Sequence, residues 1–282
     1  MLAELIELLN YSFFNNALLA ALLASISCGI AGTYIVARRK VFIAGGITHA
    51  SFGGIGMGYF LGISPVLGGS VFGLLSALGI EFIAKKTEIR EDSAIGIIWS
   101  LGMALGIIFI FLTPGYAPNL MTYLFGNILT VSISDIVYMF ILCFLLISFF
   151  LIFYRIILFI SFDEEYARSH KVPVQAFNYL LITLVALVIV LNIRIVGIIL
   201  VISFLTIPQS TANLFTRNFR WIIIYSIIFG MLGSFLGLYI SFKANLPSGA
   251  TIIFIFVIIY MVAWIYRAIQ KRREIYRQLR IS

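Results

Sequence analysis

FIAGGITHASFGGIGMGYFLG, residues 42–62, decides the fold. About 20 apolar residues suffice to cross a bilayer core as a helix, and this stretch has that length. It carries one of only two histidines in the chain, among glycines that leave little side-chain bulk. Residues four apart share a helix face, so Gly45, His49 and Gly53 form one stripe. Gly46, Ala50, Gly54, Gly58 and Gly62 form the next one. Small residues at this spacing let backbones approach closely in lipid, where packing drives helix association. The bulky Phe42, Phe52, Met57 and Phe60 are spread around the rest of the cylinder. The segment reads as a membrane helix built for tight contact with protein, and His49 is carried into that contact.

The rest of the chain agrees. Its 282 residues are 62% hydrophobic and 11% charged, with a mean hydropathy of +1.12. That is too little charge to cover a soluble domain, and the apolar runs lack the alternation of barrel strands. Nine segments can be marked, at about 16–37, 42–62, 65–84, 94–113, 132–159, 178–192, 195–215, 221–242 and 250–267. The expected fold is all-α, one polytopic membrane domain over residues 1–282. NIRIVG, 192–197, is the weakest boundary, because the segment before it is short and Arg194 is costly at depth; it leaves eight or nine spans. Residues 1–14 read as an interfacial segment, with Leu2, Ile6 and Leu9 near helical spacing. Glu4 and Glu7 stand where a cleavable signal would carry basic residues. Cys28 and Cys143 lie within apolar spans, which does not suit a disulfide framework.

Charge sets the orientation. If the turn at Arg38, Arg39 and Lys40 is cytoplasmic, alternation over nine spans places all but Arg155, Arg194 and Lys243 of the 19 basic residues on that side. This is the asymmetry of the positive-inside rule. It puts the loop 161–178 and the basic tail 268–282 in the cytoplasm, the tail near anionic lipid. The net charge of +8 is therefore a topology signal rather than a nucleic-acid footprint. No GxxxxGK[ST] phosphate cradle occurs, so any ATP is handled by a partner. Paired carboxylates, HExxH and GxSxG are absent from the spans, which argues against an intramembrane enzyme.

His49 has two readings. It either hydrogen-bonds to another helix or lines a pathway, since ionisable groups inside membranes tend to mark substrate routes. Neutral imidazole is a common ligand for first-row metals, but one histidine needs companions. A symmetric dimer about this helix would duplicate it. Thr48, Ser51, Ser100, Thr206, Gln209, Ser210 and Thr211 are further polar residues in spans. Pro208 frees a backbone carbonyl beside Gln209 and Ser210, which suggests either a kink or a pathway patch. Met57 and Met103 read mainly as packing residues, with soft-ligand capacity. In SFDEEYARSHKVPVQAFN, 161–178, the acidic Asp163, Glu164 and Glu165 open a short helix that Lys171, Val172 and Pro173 end. A helix lying across the cytoplasmic face would fit a groove on a partner.

These pieces, in this order, resemble the membrane subunit of bacterial ABC importers for zinc, manganese and iron. The likeness rests on RRKVFIAGGITHASFGG, REDSAIGIIWSLGMALGI (90–107), YLFGNIL (123–129), FDEEYARSHKVP and IVGIILVISFLTIPQSTA (195–212), and spans nearly the full length. The resemblance implies an ABC importer transmembrane domain working as a homodimer in the bacterial inner membrane. Two cytoplasmic ATPases and an extracytoplasmic metal-binding protein would accompany it. It carries no cofactor beyond the divalent ion transported. It implies a translocation route at His49 and Thr48, with Gln209 and Ser210 as further candidates, packed on Gly45, Gly46, Gly53, Gly54 and Gly58. It also implies ATPase coupling through Asp163, Glu164, Glu165, Ala167 and Pro173. One departure stands out: many members of that family carry Asp where this chain has Gly45. His170 sits where a glycine is usual and reads as a loop residue. The competing readings are a secondary carrier with His49 as proton relay, and an ABC permease for a metal chelate.

Overall fold

The computed structural model describes residues 11–86, 88–114 and 126–279. Residues 1–10 of the expected interfacial segment, 123–125 of YLFGNIL and 280–282 of the tail lie outside the described residues. The helices are α1 (Ser12–Ala37), α2 (Val41–Phe60), α3 (Pro65–Lys86), α4 (Glu91–Leu112), α5 (Ile133–Ile152) and α6 (Tyr154–Phe162). They are followed by α7 (Glu164–Ser169), α8 (Val174–Val196), α9 (Ile198–Asn213), α10 (Phe219–Ala244) and α11 (Ser248–Leu279), with a 3₁₀ turn at Ile128–Thr130. Among the described residues, eight helices are long and apolar enough to cross a membrane.

Contacts fix which residues share an end. At one end, Lys40 pairs with Glu91 at 3.0 Å and Arg38 with Glu164 at 2.5 Å. The ring of Phe162 meets Phe219 there. At the other end, Asn16 Nδ2 donates to the Val131 carbonyl, and Gly126 packs on the backbone of Val196 and Gly197. The 16-residue α9 therefore carries the chain from the Gly197 end back to the Phe219 end. Among the described residues, eight long helices and one short one connect the two ends, which answers the question left at NIRIVG.

Two boundaries differ from the sequence reading. The run 132–159 is not one helix: α5 stops at Ile152, Phe153 takes φ −101° and ψ 18°, and α6 continues to Phe162. The sixth segment is longer than 178–192 and reaches Val196. Arg194 is accommodated because its Nε lies 2.9 Å from Asp135 Oδ1. Asp135 is held in turn by a capping box with Ser132 at the start of α5. Gly197, with φ 82°, then breaks the path between α8 and α9 in a conformation side chains disfavour.

Glycine sets the packing of α2. A Cβ on Gly54 would run into the Gly68 carbonyl of α3, and a Cβ on Gly102 of α4 into the Ala50 backbone. Helix α2 is thereby clasped backbone to backbone on two sides. The hydroxyls within the spans mostly bond the carbonyl four residues back, as Ser25, Ser51, Thr183 and Ser226 do. This satisfies them inside lipid without a neighbour.

Candidate functional site

His49 sits between α2 and α4 of its own chain, half-buried. Its ring stacks on the indole of Trp99, centroids 4.1 Å apart and 12° from parallel. Its Nδ1 lies 3.3 Å from Met103 Sδ. Trp99 and Met103 are four residues apart and present one face of α4. Gly45 makes the stack possible: a Cβ there would lie 2.9 Å from the indole ring. Gly45 itself is thus covered by the aromatic ring of Trp99.

The thioether is a weak acceptor and cannot donate. A hydrogen bond across this contact requires the proton of a neutral imidazole on Nδ1, which leaves the lone pair on Nε2. Among the described residues Nε2 has no hydrogen-bond partner. Imidazole ligands of metals characteristically donate their other ring N–H to a fixed acceptor, which sets the tautomer. The arrangement can offer one nitrogen donor held in orientation by stacking. No group of three or more His, Cys, Asp or Glu able to hold a metal occurs among the described residues.

The other residues singled out in the spans are used differently. Thr48 is fully buried and gives its hydroxyl to the Ala44 carbonyl. Pro208 cannot donate to the Phe204 carbonyl, and Gln209 supplies the missing donor: its Nε2 lies 3.0 Å from that oxygen. The same amide reaches the Cys28 carbonyl of α1 at 2.8 Å. Gln209 has no exposed surface, so its amide closes the proline gap and braces α9 against α1. Ser210 is partly exposed on the turn beyond it. Gly46 meets Ile95 of α4, Gly53 the Gly102 carbonyl, and Gly58 the backbone of Pro65. All five glycines face neighbouring helices of the same chain.

The loop residues divide into an inner and an outer set. Asp163 caps α7, accepting from the Tyr166 amide at 2.9 Å. Glu164 turns inward: Oε1 accepts from Arg38 Nη2 and, at 2.9 Å, from Asn178 Nδ2. Arg38 Nη1 also donates to the Ile160 carbonyl at 2.6 Å. Ala167 is fully buried against Ile160 and Val174. Glu165 and Pro173 are exposed, and a groove of about 640 Å³ is lined by Arg168, Pro173, Gln175 and Tyr179. His170 caps the end of α7 on the surface, with Nδ1 3.0 Å from the Tyr166 carbonyl.

Sequence reasoning missed the stacking role of Trp99 and the inward turn of Glu164, since periodicity does not name a helix's neighbour. The brace at Gln209 did have a signal, an amide side chain directly after an intrahelical proline.

This bundle, with a short helix clipped beneath its first span, is the fold of an ABC importer membrane subunit. The chain belongs to the ABC 3 transport family, which residues 10–267 match. It is 40% identical to an uncharacterized membrane protein of Synechocystis over 95% of both chains. It is 35% identical to the manganese transport system membrane protein MntC of Listeria monocytogenes, covering 95% of this chain and 97% of that one. The solved structure of PsaBC from Streptococcus pneumoniae in complex with Fab superposes with a TM-score of 0.83 at 34% identity. That match covers 94% of this chain and 95% of the other.

Proposed function

We propose that this chain is the membrane subunit of an ATP-driven importer for a divalent transition metal ion, with manganese favoured and zinc or iron as alternatives. The membership and the manganese systems among its relatives support the class. The observation that carries the mechanism is the half-buried His49, held by Trp99 and Met103 with Nε2 unpartnered. Two copies of the chain enclose the route, so that two imidazoles meet the ion. An extracytoplasmic metal-binding protein delivers it. ATPase subunits dock at the cytoplasmic face on Glu165, Arg168 and the groove beside Pro173, with the C-terminal tail on the same side.

A bare divalent ion is prohibitively costly in hydrocarbon, so transient ligands must replace its water. Neutral imidazole suits a relay because it binds without fixing the ion by charge. No resident cofactor is needed.

Proteoliposomes holding this chain with its ATPase are loaded with ATP and given the extracytoplasmic binding protein outside, and uptake of radioactive manganese, zinc and iron is followed. His49→Ala is expected to lower uptake at least tenfold while the subunits still co-purify. Undiminished uptake would remove His49 from the route. Uptake that persists without ATP and collapses with an uncoupler would replace the importer with a secondary carrier. Uptake of a chelated ion alone would move the substrate to a metal chelate.

A further inference from the structure

A groove of about 940 Å³ opens on the side of the bundle between α1, α5, α6 and α10. Its apolar part is lined by Ile26 and Ile30 of α1, Ile147 and Phe150 of α5, and Ile223 and Ile227 of α10. Its polar part is lined by Arg155 and Arg220, with Tyr154 beside them. None of these helices carries His49 or its stacking partners, so the groove is separate from the site above.

The two arginines lie at one level, since the ring of Tyr154 is 6.3 Å from that of Phe219. The break at Phe153 is what turns Tyr154 and Arg155 away from the line of α5. Among the described residues, neither guanidinium has a carboxylate within ion-pair distance. Two cations therefore stand unpaired at the end of an apolar trough, at the depth where Trp221 marks a membrane interface. The rise from Arg220 to Ile227 is about 10 Å, well within one leaflet of about 15 Å. A spanning helix from another protein would need the full thickness, so the groove does not suit one.

We infer that the groove binds an anionic phospholipid of the cytoplasmic leaflet. Arg155 and Arg220 hold the phosphate, for which a guanidinium's planar donors are well matched. An acyl chain lies on the isoleucine floor. Basic pockets between helices on the cytoplasmic side are the recognised form of such sites.

Native mass spectrometry of the full chain, released from micelles containing equal phosphatidylglycerol and phosphatidylcholine, tests this. Wild type is expected to retain phosphatidylglycerol at least tenfold over phosphatidylcholine, and Arg155→Gln/Arg220→Gln to lose that preference. Ile223→Trp, which fills the trough and keeps both arginines, is expected to lower retention of both lipids. Equal retention of the two lipids by wild type would overturn the inference. So would an unchanged preference in the double glutamine variant. Displacement of the lipid by glycerol phosphate would reduce the site to a phosphate site without a chain. Disulfide cross-linking between copies carrying Ile147→Cys and Ile227→Cys would show that a second copy covers the groove.

Discussion

At the scale of single residues, the described spans make use of polar atoms that lipid would otherwise penalise. Gln209 shows this most clearly, because two of its bonds repair one defect and tie two helices. Replacing it with leucine keeps the volume and leaves the Phe204 carbonyl without a donor. A buried unsatisfied group costs about 1–3 kcal/mol, while polar contacts measured in membranes average nearer 0.6 kcal/mol. A loss of about 1–2 kcal/mol is expected for Gln209→Leu in a denaturation series in mixed micelles. Pro208→Ala restores the backbone N–H, so the double variant Pro208→Ala/Gln209→Leu should be the more stable of the two. An equal loss in both would show that the contact with Cys28, rather than the proline gap, is what matters. Met103 supplies the second test at this scale. Met103→Leu keeps the packing and removes the acceptor that fixes the His49 tautomer. It should raise the KM for metal uptake several-fold and leave subunit assembly intact.

At the scale of elements, glycine position decides which helices meet. Gly102→Ala forces a methyl onto the backbone of Ala50, where nothing flexible can yield, and a loss of about 1–3 kcal/mol is expected. Gly96 lies on the same helix with nothing within 4 Å of a Cβ, so Gly96→Ala should raise stability by up to about 1 kcal/mol through helix propensity alone. Thermal unfolding of the pair in one detergent separates close approach from helix propensity. The tight faces of α2 were legible in the sequence because small residues at four-residue spacing have few other uses in lipid. The break at Phe153 was not legible: the run 132–159 contains neither Pro nor Gly, and Arg155 reads equally well as a charge near the inner end of a single span. The opposite holds at Gly197, where a glycine after a charged residue near a span end was a readable sign of interruption. His49 was legible as an exception to its surroundings. Its partner was not, because stacking on Trp99 depends on which helix lies alongside, and a single periodicity leaves that open.

At the scale of the whole molecule, the turn at residues 38–40 joins the short loop helix to the helix bearing His49. Arg38 reaches down to Glu164 and the Ile160 carbonyl, while Lys40 reaches across to Glu81 at 3.6 Å and Glu91 at 3.0 Å. Glu91 opens α4, the helix that carries Trp99 and Met103. On the proposed function, a push on α7 would reach α2 and α4 together through these charged contacts at their base. The sequence suggested α7 as a docking element but did not divide its acids into those that point outward and those that face the bundle. The division gives two variants opposite phenotypes. Glu164→Gln still accepts from Asn178 and weakens the grip on Arg38 and the longer pairing with Arg168 at 3.8 Å, so ATPase subunits should co-purify and hydrolyse ATP while metal uptake falls several-fold. Glu165→Lys reverses an outward charge, so co-purification itself should fall. Measuring ATP hydrolysed per ion imported in the two variants checks the scheme. If Glu164→Gln lost the ATPase and Glu165→Lys kept it, the docking face would lie on the other side of α7. Arg38 would then be a strut for the fold rather than the link that carries motion to His49.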